Sequence, residues 1–71
     1  MNADVFNGTI AKYQKIRHID TMEKLRAHTT VGSNKTFSKY MKDPDLMPLG
    51  VWQDIMKALN VPQEERVETL K

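Results

Sequence analysis

The chain has 71 residues, of which 39% are hydrophobic and 28% are charged, and its formal net charge at pH 7 is +2. A chain of this length forms one small domain, here residues 1–71, that buries only about 60% of its unfolded surface, which leaves little room for a catalytic cleft. The absence of cysteine excludes disulfides and thiolate zinc sites, and no apolar run approaches the roughly 18 residues of a membrane span.

The first predicted helix covers residues 4–17. Apolar side chains recur there at the three- and four-residue spacing of an amphipathic helix: Phe6, Ile10, Tyr13 and Ile16. The Asn7-Gly8 pair leaves open a later start, at Thr9.

The second predicted helix spans about residues 21–28. Asp20 and Glu23 are three positions apart, which is the spacing of a capping box at a helix start. Met22 and Leu25 are also three positions apart, and we expect both to face the core.

A turn and a third helix, over about residues 33–42, follow in the sequence. Gly32 is expected to take up the positive φ of a tight turn, and the Ser33 hydroxyl is suited to cap the helix start. Three apolar side chains then share one side of the helix: Phe37, Tyr40 and Met41. Residues 21–42 therefore predict a helix-turn-helix whose second helix has a polar outer face.

Two further helices are predicted after Asp43-Pro44-Asp45, because the residue before a proline disfavours the helical conformation. Pro48 suits the first position of a helix over about residues 48–59, and Asn60 suits its end. Its apolar residues have helical spacing: Val51, Trp52, Ile55 and Leu59. Val61-Pro62 begins a fifth helix, over about residues 62–70, with Val67 and Leu70 on one side. The predicted fold is all-α, a compact orthogonal bundle of about five short helices.

Charge is distributed unevenly between the two parts of the chain. Residues 12–42 contain eight cationic and two acidic side chains, a balance of +6, whereas residues 43–71 contain three cationic and six acidic side chains, a balance of −3. The basic part is a candidate surface for binding a polyanion such as DNA. The alternative is that its lysines only solvate surface helices.

The polar face of the predicted helix over residues 33–42 is the expected DNA-reading surface, because side chains near the N-terminal end of a helix in the major groove meet base edges. We expect four residues to read bases: Asn34, Lys35, Ser38 and Lys39. Asn34 suits adenine, the lysines suit guanine, and Ser38 suits either kind of partner. Eight others are expected to contact phosphates: Lys15, Arg17, Thr21, Lys24, Arg26, Thr30, Ser33 and Lys42.

Three segments carry a resemblance to a known family: Thr21-Met22-Glu23-Lys24-Leu25, Thr36-Phe37-Ser38-Lys39-Tyr40-Met41 and Ile55-Met56-Lys57-Ala58-Leu59-Asn60-Val61. They resemble the scaffold helix, the reading helix and the following helix of small helix-turn-helix regulators of the phage cI repressor and Cro type. The resemblance implies a lambda repressor-like fold, with Phe37 inside the reading helix and Leu59 beneath both helices. In the turn, Val31 precedes Gly32 whereas the family usually has glycine first, so either the order is swapped or one residue is inserted.

These features predict a sequence-specific, double-stranded DNA-binding transcriptional regulator, most simply a repressor from a phage or mobile element. We expect it to bind as a homodimer, through either the fifth helix or the connection over residues 45–49, because one reading helix specifies only about 3 to 5 base pairs. An alternative is an antirepressor or modulator that uses the same fold to bind another regulatory protein, such as another phage regulator.

Neither catalysis nor a cofactor is expected. His18 and His28 do not predict a metal site, because no third ligand has suitable spacing. The available Ser, Thr and His residues form no recognisable nucleophile, base and orienting group, so we expect no enzymatic activity. Because the N-terminus lacks the basic-then-apolar order of a signal peptide, we expect a cytoplasmic protein of a bacterial or phage-infected host cell.

Overall fold

Five α-helices and one 3₁₀ turn account for the regular structure in the computed structural model, which describes residues 1–71. The helices are α1 (Ala3–Arg17), α2 (Met22–Arg26), α3 (Asn34–Lys42), α4 (Leu49–Ala58) and α5 (Gln63–Leu70), and the 3₁₀ turn covers Pro44–Leu46. No residue lies in a strand. The prediction of an all-α bundle of five short helices is confirmed.

Helix α1 begins and ends at clear capping residues. The Asn2 side chain accepts a hydrogen bond from the Val5 backbone N–H at 3.2 Å, so the helix starts before Asn7-Gly8 and runs through it. It ends at His18, which has a φ of 59°. The expected inward position of Ile16 is wrong, since its side chain is 50% exposed. The buried stripe of α1 instead ends at Tyr13, and Arg17, four residues later on the same side, is exposed.

Helix α2 is shorter than predicted, and its cap is one residue later. The Thr21 hydroxyl accepts from the Lys24 backbone N–H at 3.1 Å, whereas Asp20 forms an ion pair with the Lys24 ammonium at 3.2 Å. The predicted capping box of Asp20 and Glu23 is therefore wrong. Leu25 is fully buried, but Met22 is 47% exposed, contrary to expectation, because a helix of five residues turns only one narrow face inward.

Helix α4 contributes four residues to the hydrophobic core, more than any other helix. The helix starts at Leu49, so Pro48 is its N-cap and not its first residue as predicted. Helix α1 packs against α5, and α2 packs against both α3 and α4. Thirteen hydrophobic side chains form one buried cluster: Phe6, Ile10, Tyr13, Leu25, Phe37, Met41, Met47, Val51, Trp52, Ile55, Met56, Leu59 and Val61. Phe37 and Leu59 are both buried.

The C-terminal end of α4 is held by two arginines from other helices. Asn60 has a φ of 50° and ends the helix as predicted. Arg17 donates from Nε to the Leu59 carbonyl at 3.0 Å and from Nη2 to the Asn60 carbonyl at 3.3 Å. Arg66 donates from Nε to the Val61 carbonyl at 2.7 Å and from Nη2 to the Met56 carbonyl at 3.3 Å. Arg17 thus supplies donors to carbonyls at and just after the helix end, and Arg66 adds a second donor to the Met56 carbonyl, which also accepts from the Val61 N–H at 3.1 Å.

Helix α5 is joined to the rest of the bundle by polar contacts. Its inward residue is Thr69, which is fully buried and accepts a hydrogen bond from Trp52 Nε1 at 3.0 Å, while Val67 and Leu70 are 41% and 45% exposed. Glu65 accepts from the Lys12 ammonium at 2.9 Å and from the Tyr13 hydroxyl. These bonds attach α5 to both α1 and α4.

Candidate nucleic-acid interface

Helix α3 is fixed by a cap at its start and by two buried side chains on its inner face. Ser33 Oγ accepts from the Thr36 backbone N–H at 3.4 Å, so the predicted N-cap is confirmed. Phe37 and Met41 are 1% and 8% exposed, and Tyr40 is half-buried. Packing of this inner face decides which side chains point outward.

The outer face of α3 is lined by basic and hydroxyl side chains. At about 100° per residue, the positions of Lys35, Ser38, Lys39 and Lys42 fall within an arc of about 100° on the side away from Phe37 and Met41. We call these four residues the lysine face. The three lysines are exposed and Ser38 is half-buried. Together with Thr36 and Asp43 they line a shallow concave surface that contains no apolar residue.

The lysines of the lysine face, together with Lys15, differ from the other cations of the basic segment, residues 12–42, in having no internal partner. Lys12 is paired with Glu65 and Lys24 with Asp20. The hydrogen bond from Lys24 holds the pKa of the Asp20 carboxyl below its ordinary value. Within residues 12–42, the cations in neither an ion pair nor a side-chain hydrogen bond are Lys15, Lys35, Lys39 and Lys42. Three of these four therefore share the lysine face.

The connection between α2 and α3 is built differently from the prediction. It covers residues 27–33, whereas the turn of a typical helix-turn-helix has about three or four residues. No glycine in the chain has a positive φ, so the conformation expected of Gly32 is wrong. The Thr29 hydroxyl shapes the turn instead, because it donates to the Arg26 carbonyl at 2.8 Å and accepts from the Val31 N–H at 3.2 Å.

Arg26, which was expected to contact phosphate, crosses this connection. Its Nη1 donates to the Val31 carbonyl at 3.1 Å, and its Nε donates to Oδ1 of Asn34. Arg26 is half-buried, while Asn34 is exposed at the first position of α3. The predicted base-reading amide is thus already bound, through its oxygen, to a cation of the preceding helix.

The remaining predicted phosphate contacts are divided between structural and open positions. Thr21 and Ser33 cap α2 and α3, and Arg17 binds the carbonyls at the end of α4. Thr30 is exposed and borders an open groove between the connection and α4. Lys15 is exposed on α1.

Sequence reasoning missed two residues that line the same surface as the lysine face, Thr36 and Asp43. Both were visible in the helical period, because Asp43 is four positions after Lys39 and Thr36 is three positions before it. Asp43 adds an acidic side chain at the C-terminal end of this otherwise basic surface.

No group of three or more His, Cys, Asp or Glu side chains is arranged to hold a metal ion. None of the helices combines the length and the apolar character needed to cross a bilayer.

Comparison with protein-family models, with curated proteins and with solved structures finds no match to this chain.

Proposed function

We propose that this protein is a sequence-specific double-stranded DNA-binding transcriptional regulator that inserts α3 into the major groove, as a repressor of phage or mobile-element type would. The observation that carries the proposal is the lysine face, a set of exposed ammonium groups without internal counterions on one side of a firmly packed helix. An α-helix fits the major groove of B-DNA, and free lysines on it favour a polyanion.

The proposed roles follow from position along α3. Asn34, Lys35, Ser38 and Lys39 are in its first six residues, where side chains of an inserted helix meet base edges. Lys42 at the end of the helix and Lys15 on α1 are proposed to contact phosphates, which fix the register of the protein on the duplex. Thr30 and the caps Thr21 and Ser33 are proposed to add neutral phosphate contacts.

We further propose that two copies bind together, because one α3 helix spans too few base pairs to specify a site alone. Both candidate dimer surfaces retain exposed apolar side chains. Leu46 and Leu49 are 50% and 59% exposed in and after the 3₁₀ turn, and Val67 and Leu70 are 41% and 45% exposed on α5. Both surfaces flank the start of α1, where the Met1 ammonium pairs with Asp45 at 3.2 Å and the Asn2 N–H donates to the Thr69 carbonyl at 2.9 Å.

The test is direct binding of labelled duplex from the region upstream of the protein's own gene, measured by fluorescence anisotropy against a duplex of scrambled sequence. Lys39→Gln removes one cation from the lysine face, and Lys57→Gln is its matched control, since Lys57 is an exposed lysine on α4 without an ion pair. We expect Lys39→Gln to weaken binding to the upstream duplex and Lys57→Gln to leave it unchanged. Equal affinity of wild type and Lys39→Gln would contradict the proposal.

The same assay tests the antirepressor alternative. In that case the protein alone leaves the duplex unbound, and its addition releases a regulator encoded by an adjacent gene from that regulator's own site. Loss of this release in Lys39→Gln would mean that the lysine face binds protein rather than DNA.

A further inference from the structure

The contact between Arg26 and Asn34 joins the last residue of α2 to the first residue of α3. The guanidinium of arginine has only donors, so the amide atom that faces Nε is the oxygen Oδ1, and Nδ2 is the atom left without a partner. The second bond of Arg26, to the Val31 carbonyl at 3.1 Å, ties the same guanidinium to the connection between the helices. The orientation of the Asn34 amide is therefore set by two segments outside α3.

This orientation changes what Asn34 offers to a base. Pairing of an asparagine amide with adenine requires Oδ1 to accept from N6 while Nδ2 donates to N7. Here the adenine N6 amino group would have to donate to Asn34 Oδ1, which already accepts from Arg26. The positively polarised amino group would then lie beside the Arg26 guanidinium. Guanine presents only acceptors at this edge, N7 and O6, which both Nδ2–H and the guanidinium attract. A bond from a cation to Oδ1 also polarises the amide and strengthens Nδ2–H as a donor.

We propose that Arg26 is a positioning residue that makes Asn34 a hydrogen-bond donor in base reading, so that the base pair met by Asn34 is read as guanine and not as adenine. This inference rests on the proposed function, because it assumes that α3 enters the major groove. It assigns Arg26 to sequence specificity, acting through Asn34, in place of a phosphate contact.

The experiment is selection of binding sites from a randomised duplex library by the wild type and by variants. The position read by Asn34 is the one at which Asn34→Ala loses its base preference. We expect guanine there for the wild type, with a preference of about 5- to 10-fold over adenine, as for one good base contact. Arg26→Met keeps an unbranched apolar stem but removes the guanidinium, and it should move the preference at this position toward adenine.

Two further variants separate this role from stability and from general attraction to DNA. Asn34→Asp keeps an oxygen that can accept from Arg26 but removes the Nδ2–H donors. The folded variant should therefore lose the preference for guanine at this position and prefer cytosine, whose N4 amino group donates in the major groove. Lys42→Met should weaken binding to all sites while leaving the guanine preference unchanged. If Arg26→Met fails to fold in circular dichroism, adenine instead of guanine at the Asn34 position of sites selected by the wild type, or a guanine preference that survives in Asn34→Asp, still overturns the inference.

The outcomes distinguish this inference from the proposed function. Selected sites with adenine at the Asn34 position, or a guanine preference that survives in folded Arg26→Met or in Asn34→Asp, would overturn the role of Arg26 while leaving DNA binding intact. If the wild type enriches no sequence and binds no duplex, the proposed function fails and the inference fails with it.

Discussion

Neutralising a single lysine of the lysine face should change the salt dependence of DNA binding by a defined amount. Each protein cation that contacts a phosphate displaces condensed counterions, which gives a slope of about −0.9 in a plot of log K against log salt concentration. The basic segment contains four cations without internal partners, Lys15, Lys35, Lys39 and Lys42. If all four neutralise phosphates, Lys35 and Lys39 while they also donate to base edges, the expected slope is about −3.6 for one protomer and about −7 for a dimer.

These slopes correspond to a large loss of DNA affinity as the salt concentration rises. For a dimer, the affinity for any duplex should fall by roughly four orders of magnitude between 50 and 200 mM salt. Lys42→Gln should make the slope shallower by about 0.9 per protomer, which is about 1.8 for a dimer. Lys57→Gln, on the opposite, acidic part of the chain, should leave the slope as it is.

The assay is fluorescence anisotropy of a labelled duplex of mixed sequence, repeated at several salt concentrations for the wild type and the two variants. A wild-type slope near zero would refute the assignment of the lysine face to DNA. If Lys42→Gln and Lys57→Gln change the slope equally, the total charge of the protein determines the salt dependence. That result would refute the argument that it is determined by the cations of residues 12–42 that have no internal partner.

Three other predictions concern stability and assembly. Phe37→Ala should lower the free energy of unfolding by roughly 3 to 5 kcal/mol, because the Phe37 ring is 1% exposed. This loss is comparable to the whole stability of so small a domain. A cooperative thermal transition close to that of the wild type, measured by circular dichroism, would contradict this prediction. The hydrogen bond from the Tyr13 hydroxyl, followed by that from Lys12, lowers the folded-state pKa of Glu65 below its ordinary value of 4.5, so the stabilisation is present above that pH and is lost as the pH falls through the lowered pKa. Glu65→Gln should therefore lower the Tm near neutral pH and match the wild type in strong acid, and a Tm difference that is independent of pH would show that these bonds do not contribute. In sedimentation at micromolar concentration, two protomers should occupy one duplex with half-sites about one helical turn apart, and a single protomer on a non-palindromic site would count against the dimer.

Local signals in the sequence predicted much of α3 and the end of α4. Ser33 was identified as a cap because a hydroxyl stands directly before an apolar stripe, and Asn60 because it follows one, and neither depends on distant residues. At α2 the same reasoning chose Asp20 over Thr21, since two adjacent residues are both good caps and only the path of the chain decides between them. Gly32 was assigned a left-handed turn that the Thr29 hydroxyl makes unnecessary.

The roles of the arginines were beyond prediction from spacing. Arg17 binds carbonyls 42 and 43 positions away in the chain, at the end of a helix whose location depends on the whole core. The bond from Arg26 to Asn34 depends on the path of residues 27–33, which have no helical period. The outward position of the α3 lysines was predictable, because burial of Phe37 and Met41 fixes which side of the helix faces solvent. The partners of long side chains that reach other helices depend instead on the tertiary structure.

The bond between the Asn2 N–H and the Thr69 carbonyl, 2.9 Å long, brings the two ends of the chain together. Because this bond and the packing of α1 against α5 hold Asn2 and Thr69 side by side, the point at which the chain is open is a matter of connectivity rather than of packing. A circularly permuted chain, with a short flexible linker between Lys71 and Met1 and new ends between Asp20 and Thr21, which are both exposed, would preserve the core contacts of every helix. The same proximity would allow a domain to be fused beside Asn2 or Thr69 without displacing α3.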